Sequence, residues 1–192
     1  ESGILDPADA PSMNAKFIPI LEENPQIRAV MLARGNGSEY FLQQESGNWL
    51  SRTLSLDQGT GRSRWQRWDR SEKLLDTWEE ATGYDPRTRD WYRGALAGEG
   101  SGKVYWTRPY SFHSSKKTGV TASAAWTPAE GPPTPFVIGY DVLLDDIHSL
   151  VSGLEVSPNG RAFLFTSDGS VFTAENGPGS AAVSTGGEPY LT

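Results

Sequence analysis

Apolar and polar residues alternate in short runs along most of this chain, and glycine or proline punctuates nearly every run. That rhythm predicts many short strands joined by turns rather than long helices. Gln26 to Ala33 reads as a buried strand, Arg34 to Ser38 as a turn with two glycines available for positive φ, and Glu39 to Gln44 as the returning strand of a hairpin. Asn48 to Leu56 and Ser63 to Asp69 make a second pair about the Gly59-Thr60-Gly61 turn. Lys103 to Ser111, Gly119 to Trp126 and Pro135 to Leu143 are three further strands.

Helical spacing appears in four places. Met13 to Glu23 carries Phe17, Ile18, Ile20 and Leu21, and Pro19 predicts a short or broken helix there, because an interior proline removes a hydrogen bond. Ser71 to Glu80 places Leu74, Leu75 and Trp78 on one helical face, stopped by Thr82-Gly83. Asp85-Pro86 opens a helix running through Trp91 to about Ala97. Asp145-Asp146 opens another, through Ile147, Leu150, Val151 and Leu154. A hairpin follows, Arg161 to Thr166 and Val171 to Ala174 about the turn Ser167-Asp168-Gly169-Ser170, and the Gly-, Ser- and Pro-rich tail from Glu175 to Thr192 predicts little order.

This element order predicts an α+β fold in which helices flank a central antiparallel sheet. Residues 13–144 read as one domain. Residues 145–192 hold a helix and a single hairpin, which cannot bury its own face, so they read as the opening of an incomplete second module or as an addition packed back on the first.

Composition narrows the function. Seven Trp, seven Tyr and seven Phe predict an aromatic core, and 192 residues are enough to bury one. A net charge of −7 and a sequence pI near 4.9 argue against nucleic acid or an anionic membrane surface as partner. With no cysteine, thiolate metal sites and cysteine nucleophiles are excluded. The longest apolar runs, such as Phe136 to Leu144, fall short of a membrane span, so any anchor is expected outside this stretch.

Candidate chemistry concentrates in Tyr84-Asp85-Pro86-Arg87-Thr88-Arg89-Asp90-Trp91-Tyr92, followed by Tyr105-Trp106-Thr107-Arg108-Pro109-Tyr110. Arg89, Trp91 and Tyr92 bring one planar cation and two large rings from about one helical turn. That is chemistry for holding a carboxylate or planar polar ligand, or equally for an Arg-Trp stack that seals a domain edge. Catalysis has little to work with: His113 and His148 lack metal-ligand spacing, no glycine turn matches a phosphate loop, and Thr121-Ala122-Ser123 has no base beside its hydroxyls. No enzyme activity, metal or cofactor is expected. The alternating Arg64-Trp65-Gln66-Arg67-Trp68 reads as cation-π packing on a sheet surface rather than a platform for single-stranded nucleic acid. A carbohydrate- or protein-binding module is the alternative, and it requires Trp49, Trp65 and Trp68 to form one flat exposed patch.

Four segments in order, Tyr84 to Tyr92, Val104 to Tyr110, Gly119 to Ser123 and Val137 to Val142, resemble the Cache (PAS-like, PDC) sensor domains of bacterial chemoreceptors, histidine kinases and cyclases, in their double form. The resemblance covers roughly residues 13 to 175. It implies a periplasmic or extracellular sensor domain of a membrane receptor, with a membrane-distal PAS-like module over 13–144, a linking helix and the start of a membrane-proximal module over 145–192, and a homodimer as one arrangement open to the full receptor. It also implies a small ligand held between the sheet and the helix that covers it. Tyr84, Arg89, Trp91, Tyr92, Tyr110 and Asp141 match the positions of the amino-acid-binding subset. Arg89 and the Trp91 indole N–H would hold a carboxylate, and Asp141 with ring hydroxyls would receive an ammonium. One position departs: Phe112 stands where that subset commonly has an acidic residue.

Overall fold

The computed structural model describes residues 5–56, 61–98, 102–129, 133–152, 164–165, 171–174 and 181–184, and the chain separates into two compact units. The first comprises residues 1–108 and 121–141, the second 109–120 and 142–192.

In the first unit helix α1 (Ala10–Glu23) precedes strands β1 (Ile27–Arg34), β2 (Glu39–Glu45), β3 (Asn48–Ser55), β4 (Gly61–Trp68) and β5 (Leu74–Thr82). A 3-10 turn (Pro86–Thr88), helix α2 (Asp90–Ala97) and the two-residue strand β6 (Tyr105–Trp106) follow. Most of β8 (Thr118–Trp126) and β9 (Phe136–Leu143) completes the unit. The strands hydrogen-bond in the order β5-β4-β3-β2-β1-β9-β8-β6. The β1–β2, β2–β3, β3–β4, β4–β5 and β6–β8 pairings are antiparallel. The two expected hairpins form, and β1 is the direct neighbour of β9.

Because side chains alternate across a sheet, register divides them between two layers. Val30, Leu32, Tyr40, Leu42, Trp49, Trp68 and Phe136 point to one face, where Met13, Phe17, Ile18 and Leu21 of α1 close over them. Ala29, Met31, Ala33, Phe41 and Val137 point to the other, covered by Trp91, Tyr92 and Ala95 of α2.

Four elements differ from the sequence expectation. Helix α1 runs unbroken through Pro19, since that residue lies on the exposed side while Phe17, Ile18 and Leu21 bury the opposite stripe. Its start is fixed by the Asp9 carboxylate, which accepts from the Ser12 N–H at 3.2 Å. Residues 71–80 are not a helix: Leu74 and Leu75 stay exposed, and the segment pairs with β4 as an edge strand. The pairing places Trp78 against Trp65 in a stack at 6.1 Å and Glu79 opposite Arg64. Cross-strand ring and charge pairs outweigh the helical spacing of three apolar residues. The single strand expected over 103–111 is interrupted at residues 107–109, leaving β6 and a second two-residue strand at Tyr110–Ser111. The helix expected from Asp85 to Ala97 is also broken, by Arg89 in an extended conformation (φ −83°, ψ 147°) between the 3-10 turn and α2.

The second unit holds β7 (Tyr110–Ser111), which pairs with the start of β8, then α3 (Leu144–Ser152), β10 (Leu164–Phe165), β11 (Val171–Ala174) and β12 (Ala181–Ser184). Asp145 and Asp146 occupy the first turn of α3 as expected, whereas Leu154 and the turn at 167–170 lie outside the described residues. The expected hairpin is present, and the tail adds a third strand, β12, antiparallel to β11. A third strand gives the hairpin a neighbour that tail composition did not suggest.

Candidate functional site

Strand β9 carries Val137, Gly139 and Asp141 in one phase, and the first two belong to the α2 face. Gly139 has no side chain for a physical reason: a Cβ there would meet Met31 Cε and Thr121 Cγ2 at 3.1 Å and Trp91 Cε3 at 3.2 Å. α2 therefore sits directly on the sheet at this point. The Ser123 hydroxyl ties it down, donating to the Trp91 carbonyl at 2.8 Å, and Trp91 and Tyr92 meet edge to face at 5.8 Å. Both rings are buried.

Asp141 is 3% exposed, and its Oδ1 accepts a 2.6 Å hydrogen bond from the Thr121 hydroxyl. Thr121 is itself pinned, because its N–H donates to the Thr107 hydroxyl at 2.9 Å and its carbonyl accepts from the Thr107 N–H at 3.0 Å. Burial pushes the Asp141 carboxyl up to about 7, opposed by the Thr121 hydrogen bond and Arg89 and reinforced by the charge of Glu39. A carboxyl held in that state, within the field of an arginine, is prepared to receive a cation.

Arg89 is half-buried and caps α2 through its backbone: its carbonyl accepts from the Arg93 N–H at 3.0 Å. Its charge is felt by both Asp141 and Tyr84, which places its guanidinium in the field shared by these two groups. Tyr84 is buried, and its hydroxyl donates to Glu39 Oε1 at 3.0 Å. Burial first, and then the Glu39 charge, raise the Tyr84 phenol well above its ordinary value, so it stays protonated.

Five of the six residues expected from the sequence, Tyr84, Arg89, Trp91, Tyr92 and Asp141, thus lie in the first unit. Tyr110 belongs to the second unit, where its ring stands edge-on to Phe112 at 5.3 Å. Phe112 is buried there against Gly119, at which a Cβ would lie 2.2 Å from the Phe112 ring and 2.4 Å from the Val142 carbonyl. It is a packing residue in the place of an acid.

Sequence reasoning missed Glu39 and Arg52. Glu39 is wholly buried and pairs with the buried Arg52 guanidinium, which lies over the rings of Phe41, Trp65 and Tyr84 at 5.3, 5.2 and 4.6 Å. A signal was available: Arg52 falls in phase with Leu50 and Leu54, and Glu39 with Phe41, so each is a charge written into an apolar stripe.

Two other features fall away from this site. Trp49 and Trp68 are buried under α1, while Trp65 is half-buried on the opposite face, so the flat exposed patch needed by a carbohydrate-binding reading does not form. A cleft of about 240 Å³ between the end of α1 and the β2–β3 side of the sheet is lined by Glu22, Arg28, Gln44, Trp49 and Arg70. It contains none of the six expected residues, and its arginines are exposed, whereas the α2 face holds desolvated charges. Desolvated charge is the stronger marker of a ligand site.

Residues 37–149 match the methyl-accepting chemotaxis protein-like first PDC sensor domain. The chain belongs to this family. It is a sensor domain, and residues 84–92 and 141 fall within the matched stretch. Over 89 residues it is 34% identical to adenylate cyclase 1 of Rhizobium meliloti, covering 46% of this chain and 12% of that protein. Among solved structures it is similar to the ligand-binding domain of the Pseudomonas aeruginosa amino acid chemoreceptor PctB in complex with L-Gln. That match has TM-score 0.53 and 19% identity, with 92% of this chain and 57% of that one covered. It is also similar to the ligand-binding domain of the Campylobacter jejuni chemoreceptor Tlp3 in complex with 4-methylisoleucine, with TM-score 0.51, 20% identity and coverage of 88% and 54%. The chain spans little more than half the length of these structural relatives and a small part of the cyclase. At these identities the structural likeness establishes the α+β sensor fold.

Proposed function

We propose that this domain is the extracytoplasmic ligand-binding part of a bacterial membrane receptor and that its ligand is a small carboxylate-bearing metabolite, an amino acid first of all. Residues 13–144 form the membrane-distal module, and residues 145–192 form a linking helix and the start of a membrane-proximal one. The observation that carries the reading is Asp141 buried on the α2 face within the field of Arg89. The two opposite charges match a zwitterion: Arg89 and the Trp91 indole take the carboxylate, while Asp141 and the tyrosine hydroxyls of the first unit take the ammonium.

The test is calorimetric titration of the purified chain with the standard L-amino acids. Arg89→Ala, which strands a desolvated carboxylate, should weaken binding of the amino acid that binds by about thirtyfold or more. If that variant binds as tightly as the parent, Arg89 only supports α2 and this site assignment is wrong.

A further inference from the structure

The cleft at the end of α1 lies on the face of the sheet opposite Arg89 and Asp141, and strand register builds it. Arg28 shares the phase of Val30 and Leu32 on β1, one step beyond the Ala29–Gln43 pair, which brings it alongside Gln44 on β2. Gln44 stands opposite Trp49 on β3, and Trp49 opposite Trp68 on β4. This row belongs to the α1 face, yet α1 covers only part of it: Trp49 and Trp68 are buried, whereas Arg28 and Gln44 stay exposed. The helix stops at Asn24, whose N–H and side-chain amide both donate to the Ile20 carbonyl, at 3.1 and 2.8 Å, and Pro25 follows. Between its last turn, with Leu21 and Glu22, and the outer part of the row lies the space of about 240 Å³. Every lining residue belongs to the first unit.

Three properties give the cleft a chemistry. Its apolar lining comes from Leu21, Ile27 and the Trp49 ring, which is 1% exposed. Trp49 also carries an indole N–H that is buried without a hydrogen-bond partner, a rare condition for a buried donor and one that favours a guest with acceptor atoms. The third is Arg70. The β2–β3 hairpin turns on Ser46 and Gly47, both at positive φ (51° and 82°), as a tight two-residue connection requires. The Gly47 carbonyl accepts from Arg70 Nε at 3.1 Å, which fixes the guanidinium beside the cleft through one nitrogen. Among the described residues no carboxylate pairs with Arg70, so its terminal N–H groups are available to an anion.

We infer that this cleft is a second small-molecule site, separate from the α2 face, and that it takes a monocarboxylate with an apolar body. The Trp49 ring and its apolar neighbours receive the body, and the Arg70 guanidinium receives the carboxylate. Glu22, on the helix side of the same cleft, repels a second negative charge and so restricts the guest to one. Because Arg70 is exposed, binding is weak, in the millimolar range.

The test titrates benzoate into the purified chain, with benzamide as its neutral isostere, and follows the tryptophan indole signals by proton–nitrogen NMR. The Trp49 signal is the one missing in Trp49→Phe. Benzoate should shift it saturably and should bind more tightly than benzamide. Arg70→Gln should reduce that preference by about fivefold, and Arg70→Lys, which keeps the charge and loses the planar fork, by less. Should Trp49→Phe not fold, the same ratio measured by calorimetry in the Arg70 variants, altered only at an exposed side chain, decides the matter. A Trp49 signal unmoved by millimolar benzoate, or a benzoate preference that Arg70→Gln leaves unchanged, overturns the inference. Arg89→Ala removes the anchor proposed for the α2 face and should leave the Trp49 response intact. If the response disappears with Arg89, benzoate binds at the α2 face and the second site does not exist. None of these outcomes bears on the amino-acid reading, which stands or falls on its own titration.

Discussion

The two faces of the central sheet are made from the same strands and differ in what their side chains are for. Under α1 the layer is apolar: Val30, Leu32 and Leu42 are wholly buried, and no buried charged side chain lies among the core residues of this face. Tyr40 and Asn14 are hydrogen-bonded at 2.6 Å, and the Trp68 indole donates to the Ser51 hydroxyl at 2.8 Å. Under α2 the layer holds Glu39, Arg52 and Asp141, charges that each require desolvation. The contrast teaches that one face builds the domain and the other carries buried charge at a cost in stability, which suits it to the recognition proposed for it.

The largest effect should come from the first face. Phe17→Ala opens a cavity beneath α1, where Phe17 stacks on Tyr40 at 6.0 Å, and should cost about 3 to 5 kcal/mol in urea unfolding. Ligand affinity of the molecules that remain folded should be unchanged. If affinity falls with stability, the two faces are not separable.

Next is Asp141→Asn, which should do the reverse. An ordinary Asp titrates near 3.8, and Asp141 is raised to about 7 in the fold. The folded state therefore binds the proton more tightly than the unfolded chain does. The stability this contributes is fully present below about 4 and is lost as pH rises to about 7. The whole displacement, about three pH units, corresponds to a penalty on the order of 4 kcal/mol at pH 8. Asn escapes it, so the variant should melt higher than the parent at pH 8 and about equally at pH 4. It should also lose amino-acid binding and retain a simple carboxylic acid. An unchanged melting temperature at pH 8 would mean that Asp141 is not desolvated. In the parent, affinity for an ammonium-bearing ligand should rise with pH up to about 7 and then level off, because the ionised carboxylate is the binding form.

The smallest effect belongs to neither face. Arg62 and Glu79 bridge at 3.2 Å with both side chains more than half exposed, and Arg62→Ala should change stability by less than about 1 kcal/mol, with a smaller effect still in high salt.

Legibility in the sequence followed the same division. Strands with period-two alternation and glycine turns, such as β1 to β4, are stated locally, and they stand where the pattern puts them. β5 is not, because Leu74, Leu75 and Trp78 satisfy helical spacing while their real partners lie on β4, a long-range fact no local window contains. Arg89, Trp91 and Tyr92 were visible as a cluster. Their geometry was not, since it depends on the extended residue that separates the 3-10 turn from α2. Glu39 and Arg52 were legible only as charges in phase with an apolar stripe. That they meet is a matter of register, in which Arg52 faces Phe41, two residues along β2 from Glu39.

β5 carries one more consequence, and it is colloidal. An outermost strand offers its unpaired amides and carbonyls to any other chain, and this one also exposes Leu74 and Leu75. It bears Asp76, Glu79 and Glu80 along the same length, and its pairing with β4 is irregular at Arg67/Trp68. Two copies approaching along this strand would bring like charges together on a kinked template. Asp76, Glu79 and Glu80 thus guard the sheet against growing by edge-to-edge association.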